Sequence, residues 1–176
     1  MARSTPVKGR RPRAARIPLR EDVLGFMRVM WAVDHALQRA SKHMNQSSGL
    51  TGPQRLVVRL LGRTPGISAG ELAAELHLDP STLTGILQRL ENRRLVQRQR
   101  DPADARRLRL SLTSKGEACD TPEPGTIESA VSRAMRGRAP REVNAASGLL
   151  TSIAAELGVA PSSNNHAPKQ RARKGR

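Results

Sequence analysis

Hydrogen-bonding side chains are concentrated on one face of the segment that follows Asp79. That face carries Ser81, Thr82, Thr84, Gly85, Gln88 and Arg89. Hydroxyl groups can meet bases or phosphates, glutamine can pair with adenine, and arginine can pair with guanine or a phosphate. The opposite face repeats apolar residues at helical spacing: Leu83, Ile86, Leu87 and Leu90. The pattern predicts a helix that enters a DNA major groove, with free N-terminal amides for a phosphate; the plain alternative is an ordinary exposed polar face.

A second cluster of polar residues lies in the loop from Asp101 to Arg106. We expect Arg106 to enter a minor groove, where the negative potential of DNA is focused. Asp104 precedes it by two residues and either holds the loop or Arg106 by a hydrogen bond, or is a plain turn-forming residue. The flanking arginines are expected to touch phosphates or solvent, and they are Arg98, Arg100, Arg107 and Arg109.

Capping signals indicate the elements that position these residues. Thr51 and Gln54 have the spacing of a capping box, as do Ser68 and Glu71, and Asp79 precedes a proline at the first helical position. Helices are predicted over 20–46, from residue 51, over 68–76 and over 80–93. The last two are joined by a short turn, which is the layout of a helix-turn-helix. The predicted buried side chains of the helix after Thr51 are Leu56, Val57, Leu60 and Leu61.

The apolar period changes to two after the helix-turn-helix. Residues 95–100 are predicted to form a strand, and Leu108, Leu110 and Leu112 alternate with polar residues as in a half-buried strand. Two strands around a basic loop make a wing. Prolines and a glycine between 121 and 125 then predict a break, before helices at 126–137 and 140–157.

The net charge of +16 over 176 residues favours a polyanionic partner. Residues 1–20 carry seven basic residues and residues 161–176 carry five, neither with an acid, so most of the charge lies near the termini. We expect a flexible basic arm at 1–19 and a basic tail at 159–176, which would raise non-specific DNA affinity, bind RNA or have no role. Phe26 and Trp31 are the only aromatic residues, so the core must be aliphatic and a partner subunit would add stability.

These motifs resemble the MarR family of bacterial regulators. The resemblance covers about residues 21–157 and is carried by Gly49-Leu50-Thr51-x-x-Gln54, Glu71-Leu72-Ala73 and the segment from Pro80 to Glu91. The wing signature is its most specific part: Asp101-Pro102-x-Asp104-x-Arg106, followed by Leu112-Thr113-x-x-Gly116.

The resemblance implies a mainly α fold with a small β-wing: a winged helix-turn-helix (68–93, wing 95–112) within a domain at 20–158. It further implies dimerisation helices at 20–46 and 126–157 and an obligate homodimer on a palindromic site. In such a dimer Arg106 is the wing-tip residue. Many members are repressors released by small lipophilic ligands.

Trp31 and His35 lie four residues apart and are candidates for a ligand pocket, with an apolar wall and a polar handle; alternatively, Trp31 packs in a dimer core. Cys119 is either an oxidant-sensing thiol or, as we favour, structural. The four histidines lack metal-ligand spacing. We expect neither a metal nor a cofactor.

The sequence favours a DNA-binding transcriptional regulator over two alternatives. The first is an architectural, nucleoid-associated protein that recognises sequence weakly; the second is a winged helix used for protein contact. An enzyme is not expected, since no nucleophile–base pair or phosphate-binding glycine loop is present. The chain shows no apolar run long enough for a membrane span and no signal peptide, so we expect a cytoplasmic protein.

Overall fold

The computed structural model describes residues 19–102, 104 and 106–159. These residues form seven helices and two strands: α1 Leu19–Ser47, α2 Gly52–Arg63, α3 Ala69–Leu76, α4 Pro80–Asn92, β1 Val96–Arg100, β2 Leu108–Leu112, α5 Ser114–Ala118, α6 Ile127–Met135 and α7 Pro140–Glu156. The predicted fold class, mainly α with a small β-wing, is confirmed. The predicted basic arm up to residue 18 and the basic tail from residue 160 lie outside the described residues.

The helix starts follow the capping residues. Thr51 N–H donates to Gln54 Oε1 at 3.0 Å, and Ser68 N–H donates to Glu71 Oε2 at 2.9 Å, which completes the capping boxes of α2 and α3. Asp79 caps α4 by accepting from Ser81 N–H at 2.8 Å. Each cap satisfies an amide that the helix leaves unpaired, so local sequence sets these three helix starts.

A single aliphatic core joins α2, α3, α4 and the two strands, a segment that we call the winged helix. Its most deeply buried side chains are Leu50, Val57, Val58, Leu61, Leu72, Leu83, Leu87, Leu90, Leu95 and Leu110. The prediction was wrong at Leu56, which is 51% exposed, whereas Val58, Gln54 and Arg55 are buried. The buried face of α2 is therefore rotated from the predicted one and includes a charged residue.

The wing is an antiparallel pair in which Val96 lies opposite Leu112 and Arg100 lies opposite Leu108. Leu110 and Leu112 are buried, but Leu108 is half-exposed, since it lies at the loop end of the ladder, away from the core. The other edge of β2 is also paired: Gly66 N–H donates to the Leu110 carbonyl at 2.8 Å, and Leu110 N–H donates to the Ile67 carbonyl at 2.9 Å. The wing is thus fixed to the helix-turn-helix through its backbone.

The chain after the wing differs from the prediction in one element. A short helix, α5, begins at Thr113, whose hydroxyl accepts from Gly116 N–H at 3.1 Å. The predicted break follows it, and α6 and α7 occupy the two predicted C-terminal helices with slightly shorter bounds. No described residue of α6 or α7 is buried.

The described chain divides into two compact units within α1, between Leu37 and Gln38. In the first unit, α1 exposes large apolar side chains to solvent, namely Val23, Leu24, Val29, Trp31 and Val33. In the second unit, Met44 is buried near the end of α1. The predicted first helix is confirmed, but none of its described apolar residues before Gln38 is buried.

Candidate nucleic-acid interface

Helix α4 presents the polar face that the sequence predicts. Leu83, Ile86, Leu87 and Leu90 are buried, and the exposed residues are Ser81, Thr82, Thr84, Gln88 and Arg89. Gly85 lies between them, and a Cβ built there would meet nothing within 4 Å. Packing within the protein therefore does not require this glycine, and the exposed backbone beside it is open to a partner.

Internal hydrogen bonds divide the exposed face of α4 into two groups. Ser81 Oγ donates to Asp79 Oδ1 at 2.5 Å, and Thr84 Oγ1 donates to the Pro80 carbonyl at 2.8 Å. Their hydroxyl protons are occupied, so toward DNA they present acceptor lone pairs and, for Thr84, a methyl group. Among the described residues, the side chains of Gln88 and Arg89 form no hydrogen bond, which leaves their donors available for bases.

Asp79 caps the N-terminus of α4, where the sequence analysis expected free amides for a phosphate. Its carboxylate accepts from both the backbone N–H and the hydroxyl of Ser81, and these bonds lower the pKa of Asp79 below its ordinary value. One of the amides expected to be free, the Ser81 N–H, is thus already bonded to this carboxylate. The phosphate contact at the helix N-terminus stays a prediction, and the negative charge of Asp79 would act against it.

The wing loop is held by Asp104. Asp104 Oδ1 accepts from the backbone N–H of Arg106 at 3.1 Å, and the Asp104 carbonyl accepts from Arg107 N–H at 2.9 Å. Of the alternatives for Asp104, the geometry favours a hold on the loop backbone rather than on the guanidinium. The side chain of Arg106 is exposed in the turn, where it can reach a groove.

Two of the wing arginines have internal partners, contrary to the expectation that all four meet phosphates or solvent. Arg98 Nε lies 2.5 Å from Glu91 Oε1, and Arg109 Nη2 lies 2.7 Å from Asp101 Oδ2, a carboxylate that is buried. Arg100 and Arg107 are exposed. Arg98 thus attaches the wing to α4, and Arg109 closes the base of the loop. Both residues position the interface.

Residues at the C-terminal end of α4 were missed by the sequence analysis. A guanidinium nitrogen of Arg93 donates to the Gly49 carbonyl, and Lys115 Nζ donates to the Arg93 carbonyl at 3.2 Å. Basic residues that meet carbonyls at a helix end are favourable. The pair Arg93-Arg94 after the last apolar residue was the available signal. These contacts fix α4 from the end opposite Asp79.

The other candidate residues lie outside this surface. Trp31 and His35 are on α1 in the first unit, one turn apart and both exposed, Trp31 by 64%. Cys119 is half-buried against the core. Among the described residues, no group of three or more His, Cys, Asp or Glu side chains could hold a metal ion, and none of the described helices is long and apolar enough to span a bilayer.

A helix-turn-helix whose second helix exposes hydrogen-bonding side chains, followed by a two-stranded wing with an exposed tip arginine, defines a winged-helix protein of the DNA-binding type. Comparisons with known proteins agree. A family model described as MarR family matches residues 48–107. The chain is 30% identical over 95 residues to the HTH-type transcriptional repressor Mb2911 of Mycobacterium bovis, covering 53% of this chain and 68% of that relative. The chain belongs to the MarR family of transcriptional regulators.

Two further known proteins are similar to this chain, one over about half of its length and one over about three quarters. The HTH-type transcriptional regulator TtmR of Methylorubrum extorquens is 40% identical over 87 residues, which are 49% of this chain and 45% of that relative. The match thus spans about half of TtmR. The structure of CouR from Rhodococcus jostii, bound to p-coumaroyl-CoA, superposes with a TM-score of 0.62 at 28% identity, covering 76% of this chain and 92% of CouR.

Proposed function

We propose that this protein is a dimeric transcriptional repressor that binds a palindromic operator and acts by binding rather than by catalysis. The observation that carries the proposal is the pairing of two exposed elements on one rigid core: the face of α4 from Ser81 to Arg89, and Arg106 at the wing tip. An α-helix fits the major groove, and an arginine on a wing fits the adjacent minor groove. A relative named as a transcriptional repressor supports the sign of regulation.

The homodimer is supported by apolar side chains that a single chain leaves in water. In the second unit these include Val131, Met135, Leu149 and Leu150, and in the first unit they include Trp31. Exposed apolar faces of this extent are typical of surfaces that associate. A second copy supplies the same faces by symmetry, so each subunit would place one α4 in a groove of a symmetric site.

Release from DNA by a small ligand is the third part of the proposal. Its support is a structural neighbour, CouR, that is bound to p-coumaroyl-CoA. Trp31 and His35 are the candidate lining residues, because an indole offers an apolar wall and an imidazole a polar handle. Since both are exposed in one chain, the pocket would be completed on dimerisation. As a regulator of transcription, the protein would act in the cytoplasm, where bacterial DNA lies.

Arg106→Ala tests the wing. Loss of a minor-groove arginine should weaken operator binding by about 1–3 kcal/mol, while thermal unfolding stays unchanged because Arg106 is exposed and its backbone makes the loop bonds. The measurement is fluorescence anisotropy on an operator duplex. Arg136→Ala is the matched control: it removes the same charge from an exposed position at the end of α6, and it should leave affinity nearly unchanged. Equal losses in both variants would contradict the wing assignment.

The operator itself is defined by footprinting the full chain on the DNA upstream of its own coding region at several salt concentrations. A protected palindrome that persists as salt rises supports the repressor. Protection that spreads without a preferred sequence and collapses with salt would instead indicate the architectural alternative, in which phosphate contacts supply nearly all the affinity.

A further inference from the structure

The segment between α5 and α6, residues 119–126, lies along α2 from one end to the other; we call it the connector. At the C-terminal end of α2, a Cβ added to Gly62 would overlap Asp120 Oδ2. At the N-terminal end, a Cβ added to Gly52 would lie 2.6 Å from Cδ1 of Ile127, the first residue of α6. The connector therefore runs antiparallel to α2, and the two glycines permit the close approach.

Arg55, on the buried face of α2, holds the middle of the connector. Its side chain is 2% exposed. Nη2 donates to the Thr121 carbonyl at 2.8 Å, Nη1 donates to the Cys119 carbonyl at 3.3 Å, and Nε donates to Glu128 Oε1 on α6. Nη1 also lies 3.5 Å from Glu123 Oε2. One guanidinium thus bonds the connector before its first proline and between its two prolines, and it also bonds the first turn of α6.

Arg59 extends the same contact by one turn of α2. Its Nη1 donates to the Asp120 carbonyl and to Asp120 Oδ1, the latter at 2.7 Å. The carbonyls of residues 119, 120 and 121 therefore all accept hydrogen bonds from guanidinium groups of α2. These carbonyls directly follow α5, where a helix end leaves acceptors unpaired. We call this set of bonds the α2 clasp.

The clasp has a physical cause in the sequence of the connector. Pro122 and Pro124 have no N–H and cannot continue a helix, so no helical ladder fixes α6 relative to the wing. A buried guanidinium is tolerated only when its charge is paired and its donors are satisfied. Arg55 meets both conditions only while the connector lies along α2. The side-chain hydrogen bonds of Arg55 thus hold α6 in place, as the backbone hydrogen bonds of an unbroken helix would.

We propose that Arg55 is a positioning residue for DNA recognition: it fixes the direction in which α6 and α7 leave the winged helix. Helices α6 and α7 bury no residue of their own and expose the apolar side chains that the proposed dimer would cover. Their direction then sets the separation of the two α4 helices, and hence the spacing of half-sites that the dimer accepts. This inference rests on the proposed dimeric function.

The test compares spacing preference with half-site affinity. Arg55→Met keeps an unbranched chain but removes every donor that Arg55 contributes to the clasp, while the bonds of Arg59 to Asp120 remain. Wild type and variant are titrated against a single half-site duplex and against operators whose half-sites, about one helical turn apart, are shifted by one or two base pairs. We expect the half-site affinity to be retained, while the advantage of the natural spacing over the shifted spacings falls by roughly 5- to 150-fold, the usual range of coupling between sites.

Two variants of acidic residues make the test specific. Glu128→Ala removes the partner of Arg55 Nε on α6, outside the core of the winged helix, and should relax spacing in the same direction but less. Glu117→Ala is the matched control, because Glu117 is an exposed acid on α5 whose side chain does not bond to Arg55; it should leave spacing unchanged. If Arg55→Met fails to fold, Glu128→Ala carries the test.

The outcomes separate the two proposals. Equal losses on the half-site and the full operator, in both Arg55→Met and Glu128→Ala, would mean that Arg55 merely stabilises the winged helix and would overturn the inference. Natural spacing preference retained in folded Arg55→Met would also overturn it. If wild type sediments as a monomer, or prefers no spacing at all, the dimeric function itself fails, whatever the variants do.

Discussion

The winged helix and the C-terminal helices both carry apolar side chains at helical spacing, but only the winged helix buries them. Helix α4 buries Leu83, Ile86, Leu87 and Leu90 against α2, α3 and the wing, whereas α6 and α7 bury none of theirs. Both regions have the spacing of amphipathic helices. The difference teaches that apolar periodicity predicts a helix and its apolar face, but not whether that face is covered by the same chain or by another.

Capping does not differ in this way. Asp79 accepts hydrogen bonds from Ser81 at the start of α4, and Thr126 accepts from Ser129 N–H at 3.3 Å at the start of α6. Ala139 has no capping side chain, but its N–H donates to Glu142 Oε2 at 2.9 Å at the start of α7. Local interactions thus fix helix starts in both regions, and the regions differ in burial. Three pairs of substitutions would break or sharpen the comparison between the two regions.

The largest effect is expected from a matched pair of leucines. Leu90 is fully buried and Leu150 is 51% exposed. Leu90→Ala should lower the free energy of unfolding by about 2–5 kcal/mol, because it leaves a cavity in the core of the winged helix. Leu150→Ala should change the unfolding of the isolated chain by less than about 0.5 kcal/mol but weaken self-association. Urea unfolding and sedimentation measure the two quantities.

The contrast would fail if Leu150→Ala cost as much stability as Leu90→Ala at concentrations where the protein is monomeric. That result would mean that α7 packs in the core of a single chain. A stability loss for Leu150→Ala that appears only at high protein concentration would instead support the dimer, because association adds stability by mass action.

A smaller effect is expected at the cap of α4. The pKa of Asp79 is lowered by its bonds to Ser81, so the ionised carboxylate stabilises the folded state above its unfolded pKa. That stabilisation is lost as pH falls through the lowered value. Asp79→Ala should therefore be less stable than wild type at neutral pH, and the difference should shrink as pH falls below 3.8, the ordinary value, and through the lowered pKa of the folded state.

Asp79→Asn is the control, since an asparagine also caps helices well. It should remain close to wild type at neutral pH and show no acid-dependent change of its own at this position. Melting temperatures between pH 7 and pH 3 give the comparison. A deficit of Asp79→Ala that stays constant across this range would show that ionisation of Asp79 does not contribute.

The smallest effect is expected for Thr84→Val. The hydroxyl proton of Thr84 is donated to the Pro80 carbonyl, so the substitution keeps the exposed methyl group and removes no available donor; it removes the internal bond and an acceptor oxygen. Operator affinity should stay within a few-fold of wild type, whereas Gln88→Ala, which removes free donors, should lose about 1–3 kcal/mol at one base pair. A large loss for Thr84→Val would show that the Thr84 oxygen contacts DNA.

Much of the site follows from short-range sequence. The caps at Thr51, Ser68 and Asp79, and the buried face of α4, are set by interactions within a few residues, and they were predicted. The ion pairs of Arg98 and Arg109 were not predicted. Arg98 meets Glu91 only when the wing packs against α4, and Arg109 meets Asp101 only when the two strands pair.

The sequence by itself determined that hydrogen-bonding residues from Ser81 to Arg89 lie on one helix face, and that Arg106 lies in the wing turn, because helical periodicity and turn chemistry are local. The tertiary structure decided which of those side chains are already hydrogen-bonded, as Ser81 and Thr84 are. It also decided that Arg55 is buried beneath the connector, more than sixty residues away in the chain. No local pattern specifies that bond, because a buried charge is stable only where distant carbonyls and carboxylates converge on it.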